Sequence, residues 1–253
     1  MQHCKSESNA ECIACVFECI YGKKSVYLER RFFVYFQKKR IFVKSFTMTT
    51  SIAAIPKVKI KSIDAFISLE KYFQDEEKAL HKSEYDNGKI IKMAGGSFLH
   101  DNLATLTCTM LNVFVDDNDL NFIVNGSQTK IRVEHYNKVV YADALVILEK
   151  PMYYNDRNDT ITNPLIVVEV LSKSTGKHDR TLKFDYYRSI ESFKEYVLIR
   201  QERKLISVYT KQNDNSWLMR DYEGDDATAI LYALHECPIS LKRLYRNMEL
   251  MKK

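Results

Sequence analysis

Residues 164–172 carry a continuous apolar run, Leu165-Ile166-Val167-Val168 and Val170-Leu171, most of it β-branched. A strand with one wet face alternates apolar and polar positions, so an unbroken run predicts a strand covered on both faces. Glu169 interrupts it. An ionised carboxylate in such a place is costly unless a cation meets it. The strand therefore implies a positive partner: a metal ion shared with other carboxylates, or a basic side chain folding back from the next helix.

The other elements follow from the same periodicities. Ser62-Ile63-Asp64 opens a helical pattern with Phe66, Leu69, Tyr72 and Phe73 at helical spacing and Ser62 as its cap. Asn87-Gly88 is a strong turn signal, and the residues after it read as a strand that Gly95-Gly96-Ser97 breaks. A second helix over 98–115 carries the stripe Leu99, Leu103, Leu106, Met110, Val113 and Phe114, with His100 in its first turn. Strands over 120–124, 129–133 and 139–148 come next, and the last of them holds Asp143 as a second acid in an apolar setting. After the Glu169 strand the pattern gives a helix over 177–189, strands over 195–200 and 205–211, a terminal hairpin pair over 217–222 and 227–232, and a closing helix over 239–247. On the 177–189 helix, Leu182, Tyr186 and Ile190 form one face, and Arg180, Lys183 and Tyr187 form another that is available to a site. Helices and strands mix throughout, so the expected class is α/β with a mixed sheet flanked by helices.

Composition narrows this picture. A chain of 253 residues with 45% hydrophobic content can bury a substantial core, and no apolar run approaches the roughly 18 residues of a membrane span. The net charge of +5 is misleading as a sign of nucleic-acid binding. Residues 1–47 hold nine Lys and Arg against four Asp and Glu, which leaves the remaining chain balanced at 29 against 29. Any electropositive groove in the main body must be local. The first 47 residues also hold Cys4, Cys12, Cys15 and Cys19, whose spacing could bind zinc or an iron–sulfur cluster, although no second ligand pair follows at a finger-like distance. They read as an N-terminal extension, poorly ordered, ahead of a domain over 48–253. Cys108 and Cys237 read as buried thiols of a reducing cytoplasm.

Several motifs in order carry a family resemblance. They are Glu84-Tyr85-Asp86-Asn87-Gly88, Met93-Ala94-Gly95-Gly96-Ser97 with His100, Tyr141-Ala142-Asp143, Val168-Glu169-Val170-Leu171-Ser172 with Ser174-Thr175, Asp179-Arg180, and Lys183-Phe184 with Tyr187. Together they closely resemble the Uma-two restriction-endonuclease family of the PD-(D/E)XK nuclease superfamily, over roughly residues 60–247. The resemblance implies a restriction endonuclease-like core with a mixed central β-sheet flanked by helices. It implies Asp143 and Glu169 as metal-binding carboxylates. The superfamily lysine normally follows the second acid by two residues; that position is Leu171 here, and Lys183 on the following helix matches the family's displaced lysine. The proline before the first acid is Ala142, and Gln128 stands where many relatives have an aspartate.

The activity implied is hydrolysis of DNA phosphodiester bonds with Mg²⁺ or Mn²⁺ on Asp143 and Glu169 and with Lys183 as the catalytic lysine. Glu84, expected at a helix end opening on the same cleft, is the candidate auxiliary ligand or outer-shell base. His100 and Arg180 are candidate phosphate contacts. A homodimer is expected by analogy, a membrane partner is not, and the expected compartment is the cytoplasm. Plainer alternatives stand beside these: a structural ion pair for Glu169 and Lys183, a surface acid for Glu84, a surface bridge from Arg180 to Asp179 or Asp185, and packing for Tyr187. A catalytically weak nucleic-acid-binding or assembly module on the same fold, or a hydrolase of another substrate, remains an alternative for the whole.

Overall fold

In the computed structural model, residues 66–93, 95–171 and 182–251 are described, all within one compact unit, Ile60–Lys253. The four N-terminal cysteines, Ser62, the boundary at residue 47 and Arg180 lie outside the described residues.

Helix α1 (Leu69–Glu76) is capped by Ser68, whose Oγ accepts from Lys71 N. Ser68 thus takes the role expected of Ser62, and Phe66 precedes the helix and stays exposed. Tyr72 and Phe73 pack with Tyr85 and Val139. Strands β1 (Ser83–Asp86) and β2 (Lys89–Lys92) form a hairpin around Asn87 and Gly88, both at positive φ. Two left-handed residues in a two-residue loop match the twist of the flanking strands. Helix α2 (Phe98–Asp117), capped by Ser97, buries the row Leu103, Thr107, Leu111 and Val115. Thr107 fits that apolar row because its hydroxyl donates to Leu103 O at 2.8 Å. Leu99, Leu106, Met110 and Phe114 flank the row half-buried, whereas Val113 is exposed.

Two mixed sheets follow. The first has the order β2-β1-β5-β4-β7, with β4 (Lys130–Val133), β5 (Lys138–Tyr141) and β7 (Thr160–Ile161); only β4 and β7 run parallel. The second has the order β11-β10-β9-β8-β6-β3. It consists of β3 (Phe122–Gly126), β6 (Ala144–Leu148), β8 (Ile166–Leu171), β9 (Glu195–Arg200), β10 (Leu205–Lys211) and β11 (Trp217–Glu223). Only β8 and β9 are parallel in it. The remaining described elements are α3 (Phe184–Tyr187) before β9, the hairpin of β12 (Thr228–Leu231) and β13 (Cys237–Ser240), and the short helices α4 (Leu241–Leu244) and α5 (Met248–Met251).

Three expectations are corrected. The single strand over 139–148 is two strands: Tyr141 ends β5 in the first sheet, and Ala144 begins β6 in the second. Ala142-Asp143 is the passage between them. Residues 217–222 pair with β10 rather than with 227–232, because the tight turn through Asn215, at positive φ, folds the chain straight back. Ile239 and Ser240, expected in the closing helix, belong to β13, and the helix starts at Leu241 behind a Ser240 cap.

The six-stranded sheet is covered on both faces. Val168 and Val170 join Leu103, Leu111 and Val197 in one core, under α2 and the C-terminal elements. Val167 and Leu171 join Ile131, Leu145, Tyr187 and Leu198 in the other. Alternate residues of β8 enter alternate cores, which is why its apolar run is continuous. Glu169 shares the side of Val167 and Leu171.

A second buried acid stands at the start of β9. Glu195 is fully buried; its Oε1 accepts from Thr210 Oγ1 at 2.8 Å and from Tyr232 N at 2.9 Å, while Oε2 has no hydrogen-bond partner among the described residues. Burial raises its pKa against the pull of those hydrogen bonds and of Arg220. The folded protein thus holds this proton more tightly than the unfolded chain does. Its contribution favours folding at low pH and is lost as pH rises through the raised folded value. Glu195→Gln should therefore raise the urea midpoint at about pH 8 and change it little near pH 4; an equal shift at both would contradict this account.

Candidate functional site

Glu169 is met by a cation. The Lys183 ammonium donates to Glu169 Oε1 at 3.0 Å and to Tyr141 O at 3.1 Å, and lies 3.4 Å from Glu84 Oε1. Tyr187, one helical turn beyond Lys183, donates its hydroxyl to the same Glu169 oxygen at 2.9 Å. Lys183 and Tyr187 reach one carboxylate because residues four apart share a helix face. All four side chains are buried. Glu84 is placed differently from the helix end expected for it: it lies on β1, 8% exposed, and its Oε1 accepts from Tyr141 N at 3.2 Å. β1 is buried at Ser83, Glu84 and Tyr85 alike, which takes Glu84 inward from the hairpin. Strands from both sheets and the segment after β8 therefore converge on one ammonium.

Asp143 stands beside this group. The last pair of β6 with β8 is Ala144↔Val168, and one step further the same register sets Asp143 across from Glu169. Asp143 N donates to Val168 O at 3.1 Å, and Asp143 Oδ2 accepts from Val170 N at 2.7 Å. Its other oxygen, Oδ1, lies 2.8 Å from His100 Nε2. Asp143 is thus held by backbone at the passage between the sheets, outside any strand, and its side chain is partly open. His100, in the first turn of α2, lies on that carboxylate.

Further cations border the site. Lys82, just before β1, donates to Ser127 O at 2.6 Å, and its ammonium stands 5.1 Å from the centre of the Tyr141 ring. Burial and the nearby Lys130 lower its pKa, while Asp143, Asp101 and Glu76 oppose that shift. Lys130 faces the same ring and pairs with Asp159. The Tyr141 hydroxyl donates to Glu76 Oε1 at 2.9 Å, and burial, followed by the Glu76 charge, raises its pKa well above the ordinary tyrosine value. Gln128 is exposed in the turn between β3 and β4. Lys82 and Gln201, whose amide contacts His100, were not singled out by sequence reasoning, and Tyr141 was noted only as part of the Tyr141-Ala142-Asp143 motif. None interrupts an apolar run, which was the signal that exposed Glu169.

The donor chemistry suits a hard divalent cation. Asp143 and Glu169 are oxygen donors set across one step of strand register, and Glu169 and Glu84 share the Lys183 ammonium. Among the described residues no three His, Cys, Asp or Glu side chains gather closely enough to hold an ion by themselves. One or two carboxylates completed by water and phosphate are the usual provision for Mg²⁺, which keeps much of its hydration.

The architecture is that of a nuclease-like α/β fold. It superposes with a TM-score of 0.57 on the crystal structure of a "putative nuclease belonging to DUF820" from Anabaena variabilis, at 16% identity, covering 72% of this chain and 99% of that one. The chain belongs to the Uma2 family, described as "Putative restriction endonuclease", whose profile matches residues 69–241. Two relatives from Synechocystis sp. carry the names "Uncharacterized protein sll1609" and "Uncharacterized protein slr1290". The first is 32% identical over 161 residues, 64% of this chain and 90% of that protein. The second is 33% identical over 162 residues, 63% and 82% of the two chains. Among the described residues no helix is long and apolar enough to cross a membrane.

The ion-pair geometry has a direct consequence for stability. Lys183→Met would leave Glu169 and Glu84 buried without their shared cation and should cost about 3–5 kcal/mol, read by urea unfolding. Adding Glu169→Gln should recover part of that loss. A cost of Lys183→Met below about 1 kcal/mol, the range of exposed pairs, would show that the pair is not desolvated as described.

Proposed function

We propose that this chain is a metal-dependent endonuclease that hydrolyses phosphodiester bonds in DNA. The observation that carries the reading is the arrangement of two acids, Asp143 and Glu169, across one step of strand register, with the Lys183 ammonium 3.0 Å from the second. In this reading Asp143 and Glu169 hold Mg²⁺ or Mn²⁺, with Glu84 as an auxiliary acid. When bound, the ion supplies Lewis-acid polarisation of a phosphoryl oxygen and a more acidic bound water.

The chain's own residues supply the rest. Lys183 offers a positive charge to the oxygen on which negative charge develops, work that suits a compact, movable ammonium. Tyr141 O and Glu169 Oε1 hold that ammonium in place, and Tyr187 fixes the Glu169 carboxylate. His100 steadies Asp143, and Arg180 is kept as a phosphate contact. Cleavage of both strands would call for two copies of the site, so a homodimer acting in the cytoplasm completes the proposal.

Incubating the full chain with supercoiled plasmid and Mg²⁺ or Mn²⁺, with chelator as control, tests it. Nicking is expected, and Asp143→Ala, Glu169→Ala and Lys183→Ala should each reduce it by at least about 100-fold. Gel retardation without cleavage would favour a binding or assembly module instead. Cleavage that survives all three substitutions would remove the assignment.

A further inference from the structure

We propose that Gln201, braced by Ser97, is a positioning residue that acts through His100 to fix Asp143. Gln201 follows directly on β9 and ties three elements together. Its Oε1 accepts from Ser97 Oγ, the cap of α2, at 2.9 Å. Its Nε2 donates to Leu171 O, at the end of β8, at 3.1 Å and lies 3.2 Å from His100 Nδ1. The Leu171 carbonyl decides which way the amide faces, since the opposite orientation would set oxygen against oxygen. The amide nitrogen therefore meets the imidazole, and the second amide hydrogen points at Nδ1. A nitrogen that accepts a hydrogen bond carries no proton in a neutral ring, so the ring proton is on Nε2. That proton is donated to Asp143 Oδ1 at 2.8 Å. Val170 N holds the other oxygen at 2.7 Å, so the carboxylate is clamped at both ends.

The consequence for the site rests on the reading of Asp143 as a metal ligand. With Nε2 protonated and Nδ1 occupied by the amide, His100 has no lone pair to offer an ion beside Asp143. The donor set stays all-oxygen, which suits Mg²⁺ or Mn²⁺ and withholds the imidazole that Zn²⁺ would take. Gln201 thereby contributes to metal selectivity without touching the metal.

Long-range proton–nitrogen correlation spectra of the ¹⁵N-labelled full chain without metal, at about pH 8, test the first part. His100 is identified by the signals missing from His100→Gln. The neutral Nε2–H form is expected, with its ring proton visible; in Gln201→Leu, or in Gln201→Met if that folds better, the proton signal should broaden or vanish. Mn²⁺ binding followed by electron paramagnetic resonance tests the second part. Gln201→Leu and His100→Gln should each weaken it by about 10-fold, and the double variant should be no weaker than the worse single one. An Nδ1–H ring in the unsubstituted chain, an unaltered ring signal in both Gln201 variants, or losses that multiply in the double variant would overturn the proposal. Absence of Mn²⁺ binding by the unsubstituted chain would overturn the proposed function instead, and the ring signals alone would then decide the role of Gln201.

Discussion

An ammonium taken out of water must recover its lost hydration from fixed oxygens, and Lys183 does so from Glu169, Tyr141 O and Glu84. These acceptors come from three strands in two sheets, so the requirement of one cation sets how the sheets meet. Glu169 can occupy the middle of an apolar strand only because that cation arrives, and Lys183 can be buried only because the acids are there. Each half of the arrangement would be strongly unfavourable without the other. The aromatic layer of Phe184, Phe193, Tyr196 and Trp217 packs around α3 and holds the segment that carries Lys183.

Around this centre Glu84 and Glu169 share the ammonium of Lys183, and Lys82 stands at the border in contact with a backbone carbonyl and an aromatic ring. In the proposed function these acids would repel a phosphodiester until a metal ion offsets them. Substrate binding and metal binding would then be coupled by electrostatics, although outside the first 47 residues the chain carries equal numbers of acidic and basic side chains.

The legible parts of the sequence were those where one residue broke a strong pattern. Glu169 in β8 was visible because nothing else in that strand is polar, and Lys183 with Tyr187 because helical spacing aligns them. The Asn87-Gly88 hairpin was legible from turn chemistry alone. Asp143 was recognised as an acid of interest but placed inside a strand, because Val139–Val140 and Ala144–Ile147 are both buried and apolar, and no glycine or proline marks the change of sheet. The burial of Glu84 was hidden for a related reason: a four-residue strand beside a turn is too short to show its inward face. Gln201 and Lys82 left no mark, since a polar residue just outside a strand is the ordinary pattern of a loop. The row on α2 was displaced because Thr107 occupies a core position by bonding its own helix, which a hydrophobic count cannot register.

Asp143 lies where the chain leaves one sheet and enters the other, fastened by main-chain hydrogen bonds to Val168 and Val170. Its backbone location is thereby referred to β8, the strand that also carries Glu169, while His100 of α2 holds its outer oxygen. The outlying strands of the five-stranded layer can lengthen, shorten or change their side chains without altering the distance between the two acids, provided Tyr141 keeps its carbonyl toward Lys183. Such a layout leaves the periphery free to diversify while the interior spacing stays constant.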